Sequence, residues 1–304
     1  MKIVQSSWQD KNGVKFHLQA WEPDAKSKAV VVLLHGLGEH IARYSVVSEA
    51  LVKAGFDVMG FDLRGHGRSG GRRGHTPNYE ALLDDIDILL NRVTDRYPRR
   101  PVFLYGHSLG GTLAINYVLR RSPRIQGVIA TAPWLRAVAE APPLKAMLAR
   151  MLELILPTYT ESWAQEPAAL SRDPAVASAF ERDPLVHNLI TARMYRACTQ
   201  EGLWALEHAA EFPLPLLLMH GTEDRLTSWE ASQEFAHRLG KRVTWWLWDG
   251  WYHELHNEPQ RARMLRTMVN WMNRRLENQR KPSASAGQMR QGMRKSWPIL
   301  KNGA

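Results

Sequence analysis

Residues 104–112 read LYGHSLGGT, with Ser108 set between Gly106 and Gly110. A Gly-x-Ser-x-Gly pentapeptide is short enough to arise by chance, so its neighbours decide its meaning. Ahead of it stands RPVFLYG (100–106), a continuous apolar run of the kind that forms a strand buried on both faces. Behind it, residues 109–121 carry a helical pattern. A serine between such a strand and such a helix sits on a sharp turn that only small flanking residues permit. That turn lifts the hydroxyl above the sheet, and the start of the helix brings partial positive charge close to any developing oxyanion.

The same strand pattern recurs outward from this point. AVVVLLHG (29–36), GFDVMGFD (55–62), IQGVIATAP (125–133), PLPLLLMHG (213–221) and RVTWWLWDG (242–250) read as strands buried on both faces. Near the N-terminus two further strands flank an Asn12-Gly13 turn. Helices are predicted over about 41–54, 79–97, 109–121, 229–239 and 259–279. In 79–97, Leu82, Leu83, Ile86, Leu89, Leu90 and Val93 make the apolar stripe, with the aspartates mostly off it. Alternating strands and helices predict an α/β protein with a doubly wound, mostly parallel eight-stranded sheet and antiparallel strands at its N-terminal edge. Ligands bind such sheets at the carboxyl ends of the strands.

One block breaks the alternation. Residues 134–205 show no buried-strand pattern, and Leu144, Met147, Leu148, Met151, Leu152, Ile155 and Leu156 form a helical apolar stripe. An insertion after the strand at 125–133 lies over the ligand-binding face, so a helical cap is expected over 134–205. It divides the core into 1–133 and 206–280 and leaves 281–304 as a flexible basic tail.

Composition narrows the function classes. The 304 residues carry a net charge of +10 and 44% hydrophobic residues, with no apolar run long enough to span a bilayer. The N-terminus lacks the apolar core of a signal peptide, and the single cysteine, Cys198, allows no internal disulfide. A cytoplasmic location is expected. Part of the basic excess lies in RKPSASAGQMRQGMRKSWPILKNGA (280–304), which reads as a solvated extension. With Trp297, Ile299 and Leu300 it also suits weak peripheral contact with an anionic membrane surface. The aromatic-basic interleaving of a nucleic-acid groove is missing, so no nucleic-acid partner is expected.

A serine hydroxyl becomes a nucleophile when a base takes its proton. In this strand order the acid follows the serine and the histidine comes last. HGTEDRLT (220–227) offers Glu223 and Asp224, and GWYHELHNE (250–258) offers His253 and His256. We assign Asp224 as the carboxylate that orients the imidazole and His253 as the general base. Glu223 and His256 stand as the alternatives, while Asp249 lies too near His253 in the chain and on the wrong strand. The oxyanion hole is expected from the backbone N–H groups of Leu37 and Leu109, each such donor being worth about 3 kcal/mol.

LLHGLGEHIARY (33–44), FDLRGHGRSGGRRGH (61–75), GHSLGG (106–111), HGTEDRLT and YHELHNE (252–258), in this order, resemble the α/β-hydrolase family of monoglyceride lipases and bacterial lysophospholipases. LSRDPAVASAFERDPLVHNLITAR (170–193) is similar to bacterial members, so the likeness covers about residues 10–275. It implies the α/β-hydrolase fold and a serine hydrolase for esters of single-chain acyl lipids. Monoacylglycerol comes first as substrate, with lysophospholipid or a broader range of carboxylic esters as the alternative and no cofactor or metal. It also implies that Glu39, Arg43 and His256 surround the polar end of the site and bond glycerol hydroxyls or the water serving them. A Glu39–Arg43 salt bridge bracing the oxyanion loop is a compatible reading. An acyltransferase would use the same triad with another acceptor. A non-catalytic binding protein would be expected to lack the serine, acid or base, and all three are here. Haloalkane dehalogenases and epoxide hydrolases carry an aspartate where this chain has Ser108.

Other signals carry less. HELH (253–256) spaces its histidines three apart rather than the four of a zinc helix. GHGRSGGRRGH (65–75) lacks the Lys-Ser/Thr ending of a phosphate loop, so its arginines are expected on the surface or bracing loops. Trp134 and Trp163 are candidate pocket liners, and Cys198 is expected to be buried. His35, His107 and His220 are expected to pack and hydrogen-bond beside the site.

Overall fold

A computed structural model describes residues 1–138, 155–156, 158–162 and 166–280. The predicted stripe from Leu144 to Leu152, Trp163 and the tail 281–304 lie outside the described residues.

The sheet contains β1 (Lys2–Gln9), β2 (Lys15–Glu22), β3 (Ala29–Leu34), β4 (Phe56–Phe61), β5 (Val102–His107) and β6 (Gly127–Thr131). A short ribbon, β7 (Thr160–Ser162) with β8 (Leu189–Thr191), stands apart, and β9 (Leu216–Gly221) and β10 (Val243–Trp248) complete the main sheet. Its order is β1-β2-β4-β3-β5-β6-β9-β10. Only β2 runs against its neighbours; the remaining pairs are parallel. This is the predicted eight-stranded sheet with its antiparallel edge.

The central strand explains why continuous apolar runs were the right signal. Side chains along a strand alternate between faces, so a strand covered on both sides needs apolar residues at every position. Val30, Val32 and Leu34 of β3 pack with α2 (Tyr79–Arg96), α3 (Leu109–Arg121) and α6 (Trp229–Leu239). Val31 and Leu33 pack with α1 (Ser45–Lys53) and α7 (Arg261–Arg280) on the other face. Asn78 caps α2 by accepting the Ala81 N–H, and the predicted stripe is buried apart from half-buried Leu90. Asp85 departs from that pattern. It lies on the buried face, where Arg64 donates to both of its oxygens at 2.6 and 2.7 Å.

β10 also departs from its reading as a strand buried on both faces. It pairs only with β9 at the sheet edge, and Trp246 is 44% exposed, stacked on Trp248. Aromatic content made an edge strand look like a central one. Between β6 and β9 lie α4 (Pro174–Arg182) and α5 (Ala192–Glu207) with the β7–β8 ribbon, whose three-residue strands are too short to leave a pattern. Among the described residues, no helix is long and apolar enough to cross a membrane.

Candidate active site

Ser108 joins β5 to α3 with φ +52° and ψ −117°, a conformation that an L-residue adopts only when its surroundings enforce it. Its N–H donates to Thr131 O at 3.0 Å, and its carbonyl accepts from Thr112 N and Trp134 N at 3.1 and 3.2 Å. The flanking glycines are fixed by close backbone approach. A Cβ on Gly106 would collide with the Gly110 carbonyl, and one on Gly110 would stand 2.6 Å from His35 O and closer still to Leu34 O.

Asp224 follows β9 and is buried. Its Oδ1 accepts the N–H groups of Leu226 and Thr227 at 2.8 and 3.0 Å. Its Oδ2 accepts His253 Nδ1–H at 2.7 Å, Thr227 Oγ1–H at 2.9 Å and His220 Nε2–H at 3.0 Å. Burial pushes the Asp224 carboxyl up, but His253 and His220 outweigh it and hold it well below the ordinary range. Burial lowers the His253 imidazole, yet Asp224, then Glu254 and Glu39, bring it above its ordinary value. The alternatives lie elsewhere: Glu223 and Asp249 are exposed.

Ser108 and His253 line one cavity of about 30 Å³, with Leu37, Glu39, Glu254 and Phe180 among its walls. That volume holds a water or two. Trp134, expected as a liner, is also in the wall. Leu109 is the first residue of α3, where N–H groups have no acceptor within the helix. The loop bearing Leu37 is held on both sides: Gly36 N–H donates to Glu39 Oε1 at 2.6 Å, and Gly38 O accepts His187 N–H at 2.8 Å.

The expected polar-end residues separate. Glu39 lines the cavity and also accepts Tyr44 O–H at 2.7 Å. Arg43 stands behind that wall, donating from Nε to Glu39 Oε2 at 3.2 Å and from Nη2 to both Glu254 oxygens at 2.9 and 3.0 Å. The bracing salt bridge is therefore present. His256 is fully buried, stacked on Tyr44 with ring centres 4.7 Å apart, and is absent from the cavity wall. Burial, with Arg43 and His253 nearby, lowers its imidazole to about 3. Of the three, Glu39 lines the cavity, while Arg43 and His256 are absent from its wall. Sequence reasoning missed Glu254, whose only signal is its place directly after His253.

The remaining histidines do what was expected of them. His35 Nε2 accepts Leu63 N–H at 2.8 Å, His107 Nδ1 meets Thr131 Oγ1 at 3.1 Å, and His220 Nδ1 meets Ser232 Oγ at 2.8 Å. Cys198 is buried in α5, and Arg73 braces its own loop through Gly67 O at 2.6 Å.

A family model described as serine aminopeptidase, S33 (Hydrolase_4) matches residues 25–260. A monoacylglycerol lipase of Mycolicibacterium smegmatis is 32% identical over 262 residues, covering 86% of this chain and 93% of that protein. The chain belongs to the α/β-hydrolase family of the monoglyceride lipases. The crystal structure of Paleococcus ferrophilus monoacylglycerol lipase matches it with a TM-score of 0.77 at 32% identity, over 90% of this chain and 100% of that one. An abhydrolase domain-containing protein of Dictyostelium discoideum is 36% identical over 272 residues; these are 88% of this chain, which spans 29% of that protein's length. Membership in the monoglyceride lipase family makes the protein a carboxylic ester hydrolase.

Proposed function

We propose that the protein hydrolyses monoacylglycerols to fatty acid and glycerol through an acyl-enzyme on Ser108. One observation carries this reading: Ser108, on its strained turn, lines the same cavity as His253, whose Nδ1 is committed to Asp224. Nε2 is then the nitrogen left to take the Ser108 proton. Ser108 Oγ attacks the ester carbonyl carbon, and the N–H groups of Leu37 and Leu109 receive the oxyanion. His253 returns the proton to the departing glycerol oxygen, and water cleaves the acyl-enzyme by the same route. Residues 134–205 act as the cap, with Phe180 and Trp134 offering apolar surface to the chain, each buried methylene being worth about 0.8 kcal/mol.

The test is fatty-acid release from matched monoacylglycerols and lysophosphatidylcholines by native protein and Ser108→Ala. Release from monoacylglycerols that disappears in the mutant supports the reading. Preference for the phospholipid makes the enzyme a lysophospholipase on the same serine, and activity surviving in Ser108→Ala overturns the nucleophile. The basic tail is proposed as a weak peripheral membrane contact. Loss of vesicle co-sedimentation on truncation after Arg280 supports that role, and unchanged binding removes it.

A further inference from the structure

The charges around the cavity are unevenly presented. Two carboxylates, Glu39 and Glu254, form part of its wall beside Ser108 and His253. The cation paired with both, Arg43, is absent from that wall. Its Nε and Nη2 are engaged by Glu39 and Glu254, and its guanidinium lies 4.9 Å from the ring centre of Phe180, itself a wall residue. Phe180 and the carboxylates therefore stand between the positive charge and whatever enters. The Ser108 side is opposite in sign, because the start of α3 and its free N–H groups face it. The site is polarised, positive where the ester carbonyl would lie and negative where the alcohol would.

Ionised, the two carboxylates and the Arg43 guanidinium sum to one negative charge. Burial and the neighbouring Glu254 push the Glu39 carboxyl up, yet its oxygens accept from three donors, Gly36 N–H, Tyr44 O–H and Arg43 Nε–H, as a carboxylate does. Burial also pushes Glu254 up, but Arg43 reverses this and holds it below the ordinary range. Asn257 Nδ2–H donates to Glu254 Oε2 at 2.6 Å and fixes the carboxylate further.

We propose that Glu254 is a specificity-determining residue whose carboxylate makes the alcohol end of the cavity a negative wall, admitting esters of uncharged polyols and rejecting those whose alcohol bears a phosphate. This rests on the ester-hydrolase reading and specifies the substrate class of that site. A single negative charge on the alcohol, held about 6 Å from a wall whose two carboxylates and one guanidinium sum to −1, at an effective dielectric constant of about 20, lowers kcat/KM on the order of 100-fold. A glycerol hydroxyl meets no such penalty and can bond the carboxylates.

The test compares kcat/KM for matched octanoyl esters of glycerol and glycerol 3-phosphate in native protein, Glu254→Gln, Glu254→Asp and Phe180→Ala. Substrates stay below their critical micelle concentrations, so the attraction of a +10 chain for anionic aggregates does not enter. 4-Nitrophenyl butyrate reports the esterase without a polyol. Native protein is expected to prefer the glycerol ester on the order of 100-fold. Glu254→Gln should narrow that preference about tenfold or more, and Glu254→Asp should keep most of it. Phe180→Ala, which uncovers Arg43, should narrow it independently and keeps the test decisive if Glu254→Gln does not fold. Losing the Glu254 charge should also move the acid limb of the 4-nitrophenyl butyrate pH profile downward, because that charge helps raise His253. Hydrolysis of both octanoyl esters with a ratio unchanged in Glu254→Gln and Phe180→Ala overturns this proposal alone. Turnover of 4-nitrophenyl butyrate with neither octanoyl ester cleaved overturns the lipid-ester reading, and this proposal with it.

Discussion

Asp224→Asn keeps the shape of the side chain and changes only what its atoms can donate and accept. The Oδ1 position receives two backbone N–H groups, from Leu226 and Thr227. An amide nitrogen there would face donors on both sides, so the NH₂ must occupy the Oδ2 position. It then points at His253 Nδ1, which has to become an acceptor. The proton moves to Nε2, and the imidazole can no longer take one from Ser108. In serine triads this wrong tautomer costs about 10,000-fold in kcat with geometry otherwise intact. His220 and Thr227, which donate to the same oxygen, also lose their acceptor, so we expect about 1–3 kcal/mol of lost stability. The assay is steady-state hydrolysis of a soluble 4-nitrophenyl ester, with urea unfolding of the same samples to separate catalysis from folding. A folded Asp224→Asn within about tenfold of native kcat would refute the tautomer argument. If Glu223→Gln collapsed instead, the acid would have to be reassigned to an exposed residue.

Four further outcomes are expected. Because His253 is held above its ordinary value near 6.5 and acts only when neutral, kcat/KM should fall as pH drops through a midpoint above 6.5, as a pH–rate profile will show. Arg43→Met leaves Glu254 buried without its cation, at a cost of about 3–5 kcal/mol in urea unfolding. Since Arg43 stands behind the wall, its loss should affect KM for glycerol esters and for esters of simple alcohols alike. Gly110→Ala forces α3 away from β3 against the Leu34 and His35 carbonyls and should cost about 2–3 kcal/mol, with activity falling in the folded fraction. Asp183→Ala removes the acceptor for His40 Nε2 at 2.8 Å and for Leu185 N–H at 2.9 Å. It should lower kcat more than it raises KM, because it loosens the loop that carries Leu37.

The fold was legible wherever burial leaves a local trace. β3 is apolar at every position because both of its faces are covered, and the α2 stripe recurs because one face of that helix is covered. The Ser108 turn was legible because the backbone there tolerates only glycine on either side. Contacts between distant segments leave no such trace. Arg43 and Glu254 are 211 residues apart, and His40 and Asp183 are 143 apart. No spacing could announce either pair, so Glu254 went unnoticed and Arg43 was expected to face the ligand. β10 failed for a related reason: edge position belongs to the sheet order, which a single strand's composition does not report.

The contacts that make the oxyanion loop rigid also limit how the site can open. The stretch from Asp183 to Thr191 is tied to the core through Gly38 O, Gly65 O and Gly74 O, which accept from His187 N, His187 Nε2 and Thr191 N at 2.8, 3.0 and 2.9 Å. With the His40–Asp183 pair, these bonds fix the loop that carries Leu37, and such fixing before substrate arrives is what would make its N–H effective in the proposed oxyanion hole. A cap that lifted as one body would break all of them and dismantle the hole just as the acyl chain entered. We therefore expect the proposed cap to open at α4, ahead of Asp183. Phe180 is the first side chain there that both lines the cavity and precedes the tied stretch. It also covers Arg43, its ring centre lying 4.9 Å from the guanidinium. We therefore expect this one residue to bear on both chain entry and the charge that the alcohol meets. A Phe180 variant should change chain-length preference and charge preference together, whereas Glu254→Gln should change only the second.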